Sequence, residues 1–133
     1  MRLDLRTPLT YADAPELVPF TCQVPDTETA GELLFCFELD AAQAGRIDPE
    51  PECFLGPLVF AGRNGHGKEH ELPAGLYLFA QQRKNLNRTE LIDMAIEQQK
   101  DGLWERHKPG TLLYIRCLYE DGSPVTQLFR PCL

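Results

Sequence analysis

Between residues 111 and 131, two runs of mostly apolar side chains flank the polar stretch Glu120-Asp-Gly-Ser123, the pattern of two short β-strands joined by a turn. Residues 111–119 and 124–130 are rich in aromatic and β-branched side chains, and Asp121-Gly122 lies between them. An Asp-Gly pair suits a type I′ turn, which needs positive φ at both central positions, so the two runs form a hairpin with a two-residue loop. Counting outward predicts Leu118 opposite Val125, Arg116 opposite Gln127, Ile115 opposite Leu128 and Tyr114 opposite Phe129. Successive side chains point to opposite faces. One face then carries Leu113, Ile115, Cys117 and Leu128 and reads as core; the other carries Tyr114, Arg116, Gln127 and Phe129 and is the place to look for function.

The same reading extends over the chain. Residues 2–9 alternate up to Pro8 as an opening strand, and the prolines within 11–20 leave room only for a short helix. Residues 20–24 read as a further strand ended by Pro25. Residues 32–39 form a strand with Leu33, Phe35, Phe37 and Leu39 on one face and Glu32, Leu34, Cys36 and Glu38 on the other. A helical turn or two capped by Asp40 follows over 41–47, then a loop at 48–51, a strand at 56–61, a polar Gly-rich connection at 62–70 and a turn at 72–75. Residues 76–83 form a strand with Leu76, Leu78 and Ala80 opposite Tyr77, Phe79 and Gln81. The spacing of Leu91, Ile92, Ala95, Ile96 and Leu103 predicts a helix over 88–101, capped by Asn87 or Thr89, with Glu90 in its first turn and Gly102 as its stop.

Composition narrows the function classes. A chain of 133 residues suits one domain. Its net charge of −7 and the lack of a basic stripe weigh against nucleic acid as a partner. No apolar run is long enough to span a bilayer, so no membrane role is expected, and the absence of a basic-then-apolar leader sets a cytoplasmic expectation. The five cysteines form no CxxC pair and read as buried, reduced thiols. Nothing in the sequence fixes an oligomeric state.

Three stretches carry a resemblance. Leu72-Pro-Ala-Gly-Leu-Tyr-Leu-Phe79 resembles an "iPAGxYxxF" strand, the helix at 88–101 is followed by Leu103-Trp104, and Gln127-Leu-Phe-Arg-Pro131 resembles a terminal "ExYxP" strand. Together, over 71–133, they resemble the GyrI-like (gyrase-inhibitor-like) effector-binding domain family. The resemblance implies an α+β fold of duplicated βαββ units, roughly 1–62 and 72–131, forming an antiparallel sheet with helices on one face and a ligand cleft on the other. Family members bind lipophilic, often cationic, small molecules, sense drugs within transcription regulators or associate with DNA gyrase, and some hydrolyse reactive small molecules. Many carry a carboxylate in the terminal strand. Here Gln127 stands at that position, and a neutral amide is neither a general base nor a charged partner for a cation.

The candidate ligand-binding residues are therefore Tyr77, Phe79, Trp104, Tyr114, Arg116, Gln127 and Phe129; the alternative is that the aromatics form a second core layer. No catalytic residue, cofactor or metal site is assigned. His66 and His70 have the four-residue spacing of helical metal ligands, but Gly65 and Gly67 oppose a helix and no third ligand is near in sequence. Glu90, Asp93, Glu97 and Asp101 stripe the helix as a solvated face, the alternative being a docking surface for a basic protein partner. The expected function is a stand-alone domain, without a DNA-binding segment, that binds a small amphipathic aromatic molecule; the alternatives are a protein-interaction module using the acidic helix and a small-molecule hydrolase. Arg116 beside Gln127 favours neutral or anionic ligands unless Glu38 or Glu120 neutralises it.

Overall fold

The computed structural model describes residues 1–17 and 31–133. In chain order these contain β1 (Arg2–Leu5), β2 (Leu9–Asp13), β3 (Leu33–Leu39), α1 (Pro51–Phe54), β4 (Leu55–Arg63), β5 (His70–Leu72), β6 (Gly75–Gln82), α2 (Arg88–Trp104), β7 (Leu112–Glu120) and β8 (Ser123–Pro131). Among the described residues the strands join one curled sheet in the order β1-β6-β8-β7-β3-β4-β2-β5, with every pairing antiparallel. This is an α+β arrangement dominated by its sheet.

The β7–β8 hairpin has the register that counting predicts: Tyr114 pairs with Phe129, Ile115 with Leu128, Arg116 with Gln127 and Leu118 with Val125. Asp121 (φ 52°) and Gly122 (φ 79°) both take the left-handed conformation that such a loop requires. Alternation then divides the side chains. Leu113, Ile115, Cys117 and Leu128 join Leu33, Phe35, Phe37 and Leu39 of β3 beneath Leu91, Ala95 and Ile96 of α2. Full burial of an Ile or Leu stabilises by ~1.5–3 kcal/mol, so a one-residue slip, which would turn this whole set outward, is strongly disfavoured. Tyr77, Tyr114 and Phe129 gather on the opposite face with Tyr11, Leu34, Cys36 and Leu72.

Helix α2 starts as its sequence dictates. The Asn87 side chain accepts from the Glu90 N–H at 2.9 Å, and the Glu90 carboxylate accepts from the Asn87 N–H at 3.1 Å, closing a capping box. Its end differs from expectation. Gly102 lies inside the helix, because α2 crosses β6 so closely that a Cβ there would sit 2.5 Å from Leu78 Cδ1. Arg106 supplies the left-handed stop instead (φ 64°). The Arg106 N–H donates to Leu103 O (3.0 Å) and the His107 N–H to Gly102 O (2.8 Å), the paired bonds of a Schellman ending.

The N-terminal half also departs from expectation. The opening strand is two strands: β1 pairs with β6, whereas β2 pairs with β4 and β5. Tyr11, expected in a short helix, lies in β2, and the His70–Leu72 stretch, where the sequence predicts connection and turn, is the short strand β5. Residues 41–45 make hydrogen-bonded turns under Asp40, whose Oδ1 accepts from Ala42 N. The strand expected at 20–24 lies outside the described residues.

Buried polar side chains bind the helix layer to the sheet. Gln98 Nε2 donates to the carbonyls of Leu78 and Leu128, both at 3.1 Å. Gln99 Nε2 donates to Gln43 O (2.8 Å) and Arg46 O (2.6 Å). Arg130, fully buried at 0% exposure, donates to Gly110 O (2.6 Å), Ala44 O (3.0 Å) and Gln99 Oε1 (2.9 Å), and its guanidinium lies 5.9 Å from the centre of the Phe54 ring. Burial draws its pKa down to about 10, so the side chain stays charged at neutral pH.

Candidate functional site

The face of the sheet turned away from α2 is paved by rings. Phe79 and Phe129 meet edge to face with centroids 5.1 Å apart, Phe129 meets Tyr77 at 5.6 Å, and Tyr77 meets Tyr114 at 6.2 Å. Tyr114 then tilts against Phe60 at 6.4 Å, and Phe60 stacks flat on His70 at 4.2 Å. The ladder exists because the rings occupy same-face positions on paired strands: Tyr77 and Phe79 on β6, Phe129 on β8, Tyr114 on β7 and Phe60 on β4. The curl of the sheet brings Tyr11 of β2 and Leu72 of β5 into the same cluster.

A polar network is set into this pavement. Arg116 Nη2 donates to Glu32 Oε1 at 2.8 Å, and Arg116 Nη1 donates to Gln127 Oε1 at 3.0 Å. Gln127 Nε2 passes the network on to Gln81 Oε1 at 2.7 Å, and the Tyr11 hydroxyl donates to the second oxygen of Glu32. The Arg116 and Glu32 side chains are 22% and 20% exposed, so water reaches the ion pair without surrounding it. Arg116 Nε is buried and has no hydrogen-bond partner among the described residues.

The electrostatics follow from burial and pairing. Burial opposes the charge on Arg116, yet the hydrogen bond and charge of Glu32, helped by Tyr11, hold its pKa above the ordinary value. Burial raises the Tyr11 phenol, and the hydrogen bond and negative charge of Glu32 raise it further. Burial also raises Tyr114, and lifts Tyr77 and Cys36 each to about 12. These phenols and this thiol are therefore neutral at physiological pH, and none is an activated nucleophile.

The residues singled out in the sequence separate into three groups. Tyr77, Tyr114 and Phe129 are buried in the ring cluster, where they form a second core layer. Phe79, Arg116 and Gln127 are half-buried and lie together at the open part of the same face. Trp104 is not brought to them. It ends α2 on the other side of the sheet, 85% exposed, beside Ile47, Asp48, Glu97, Lys100 and Asp101. The partner of Arg116 is Glu32, not Glu38 or Glu120; Glu120 instead approaches Arg83 at 3.5 Å.

Glu32, Tyr11 and Gln81 are members of the network that the sequence did not single out. Alternation already put Glu32 on the face of Leu34 and Cys36. The missing link was the β3–β7 register, in which Leu34 pairs with Arg116 and Glu32 becomes its diagonal neighbour. Among the described residues, no group of three or more His, Cys, Asp or Glu side chains is arranged to hold a metal ion, and no helix is long and apolar enough to cross a membrane. The chain matches no protein-family model, no curated protein and no solved structure.

Proposed function

We propose that the chain is a small-molecule-binding domain of GyrI-like architecture, with its ligand seated at the half-open part of the ring-paved face. Strand order supports the duplicated reading. On either side of the central β7–β3 pair, the halves β6-β8-β7 and β2-β4-β3 each place their last strand between their first two. The first helix of such a pair would fall between β2 and β3, where residues 18–30 lie outside the described residues.

The observation that carries the binding site is the partly buried Arg116–Glu32–Gln127 network, whose Arg116 Nε has no partner among the described residues, lying beside Phe79. A flat amphipathic ligand would stack on Phe79 and exchange hydrogen bonds with Gln127 and Gln81. Because Glu32 neutralises Arg116, the anionic preference expected from an unpaired guanidinium drops out, and a neutral aromatic ligand suits the site best. Matched anionic, neutral and cationic dyes, titrated against the protein and against Gln127→Glu, test this. The neutral dye is expected to bind best, and the substitution, which adds a second carboxylate, to turn the preference toward the cation. Equal binding of all three dyes, or no change with Gln127→Glu, would remove the site.

A second reading, hydrolysis of small reactive molecules, is favoured by one observation: Glu32 brings to Gln127 the carboxylate that the terminal strand lacks. Both its oxygens are already engaged, by Arg116 and Tyr11, which makes it a poor base at rest. Turnover of activated esters that disappears in Glu32→Gln would support this reading, and turnover unaffected by the substitution would end it.

A further inference from the structure

We infer that the groove beside Trp104 docks a segment of a partner protein in which lysine or arginine side chains flank one large apolar side chain. The groove, about 570 Å³, is lined by Ile47, Asp48, Glu97, Lys100, Asp101 and Trp104. Two of these are large apolar side chains left in water, Trp104 at 85% exposure and Ile47 at 57%. A lone exposed apolar residue needs no explanation, but two that face one groove from separate segments form a patch. Burying a tryptophan removes roughly 150–250 Å² of surface from water, which is why this residue dominates so many protein interfaces.

The groove is built in advance. Ile47 and Asp48 belong to the chain that follows the turns at 41–45, and α2 holds that chain in place through Gln99, whose amide donates to Gln43 O and Arg46 O. Arg130 in turn donates to Gln99 Oε1 and to Ala44 O. The chain leading into Ile47 and Asp48 is thus anchored to α2 by hydrogen bonds before any partner arrives, which lowers the ordering cost of binding.

Charge chooses the occupant. Among the described residues the rim carries Asp48, Glu97 and Asp101 against one cation, Lys100, which leans toward Glu97 at 3.9 Å. A second copy of this chain would bring the same acidic groove and a net charge of −7, and nucleic acid and anionic membrane are repelled in the same way. A small molecule would remain largely in water here, because the main apolar wall is itself mostly exposed, whereas small-ligand sites enclose most of their ligand. A basic and apolar polypeptide segment meets both features of the surface at once.

Trp104 is the chain's only tryptophan, so its emission reports this groove alone. The probe is a short amidated peptide of alternating lysine and leucine, compared with peptides of the same length that alternate serine or glutamate with leucine. Saturable movement of the emission to shorter wavelength is expected with the lysine peptide, and affinity that falls as salt rises. Asp48→Asn combined with Asp101→Asn should weaken binding about tenfold, whereas Asp4→Asn combined with Glu69→Gln, which removes equal charge elsewhere, should leave it unchanged. Trp104→Ala should abolish binding measured by calorimetry without moving the unfolding midpoint. Three results would overturn the inference: equal binding of the serine peptide, full binding by Trp104→Ala, or the same emission shift on concentrating the protein alone, which would make a second copy the occupant.

Discussion

Two arginines, one on each face of the sheet, show how differently the two faces are built. Arg130, beneath the helix layer, gives its hydrogen bonds to two backbone carbonyls and one buried amide. Arg116, on the ring-paved face, gives its bonds to side chains only, the carboxylate of Glu32 and the amide of Gln127. Backbone acceptors cannot leave without unfolding, whereas side-chain acceptors can rotate away. The helix-side polar groups therefore clamp main chain to main chain, whereas the network on the other face is held together by side chains. Polarity inside a protein does not by itself mark function; what the polar group is bonded to tells the two cases apart.

The comparison can be broken most completely with alkali. Tyr11, Tyr77, Tyr114 and Cys36 on the ring-paved face, and Cys117 beneath the helix, are all held neutral by burial, with folded-state values raised above 10.0 for the phenols and 9.0 for the thiols. The folded state then binds more protons than the unfolded one. Their contribution is fully present below about pH 9 and is lost as the pH rises toward the folded values of about 12 for Tyr77, Cys36 and Cys117. The thermal midpoint should fall steeply over this window, and Tyr114→Phe should make the fall shallower. An unaltered slope would mean that the buried phenol is not what holds the proton.

Next in size is the contrast between the arginines themselves. Arg130→Ala leaves two carbonyls and the Gln99 amide oxygen without their donor and opens a cavity, so urea unfolding should register a loss of at least about 3 kcal/mol. Arg116→Ala touches a pair that water already reaches, and the loss should stay near 1 kcal/mol or below. Similar losses at both positions would erase the distinction drawn here. Gly102→Ala should come between them. A helical Gly→Ala change normally stabilises, but here the new methyl meets Leu78 Cδ1, and a cost of about 1–2 kcal/mol, relieved by pairing it with Leu78→Ala, is expected. The smallest effect is a gain: Arg106→Gly relaxes the left-handed residue at the end of α2 and should add up to about 1 kcal/mol.

How far the sequence was legible depended on the range of the interactions involved. The β7–β8 register could be counted because a two-residue loop joins the strands and one face is apolar. The start of α2 could be read because Asn87 and Glu90 cap each other within one turn. Its end could not, since Gly102 answers to Leu78 on a strand more than twenty positions earlier and not to local turn chemistry. β5 is not legible in the sequence because three residues between a Gly-rich stretch and Pro73 carry too little alternation to mark a strand. The site followed the same rule. Tyr114, Arg116, Gln127 and Phe129 were placed on one face by local counting, whereas Glu32 joins them through the β3–β7 pairing, for which no short loop supplies a register. The resemblance alone puts Trp104 near an expected cleft, and the crossing of α2 over the sheet takes it to the far side.

The reach of Arg130 has a further consequence, for how the folded chain breathes. One guanidinium ties Gly110, just ahead of β7, to Ala44 in the turns after β3 and to Gln99 in the middle of α2. Segments more than sixty positions apart in the chain thus share a single anchor, and none can loosen without stripping buried bonds from the others. Turns and loop ends ordinarily open alone and at little cost in free energy. Here the 41–45 turns, the approach to β7 and the central turn of α2 are joined into one cooperative unit, whose backbone amides should exchange with solvent together.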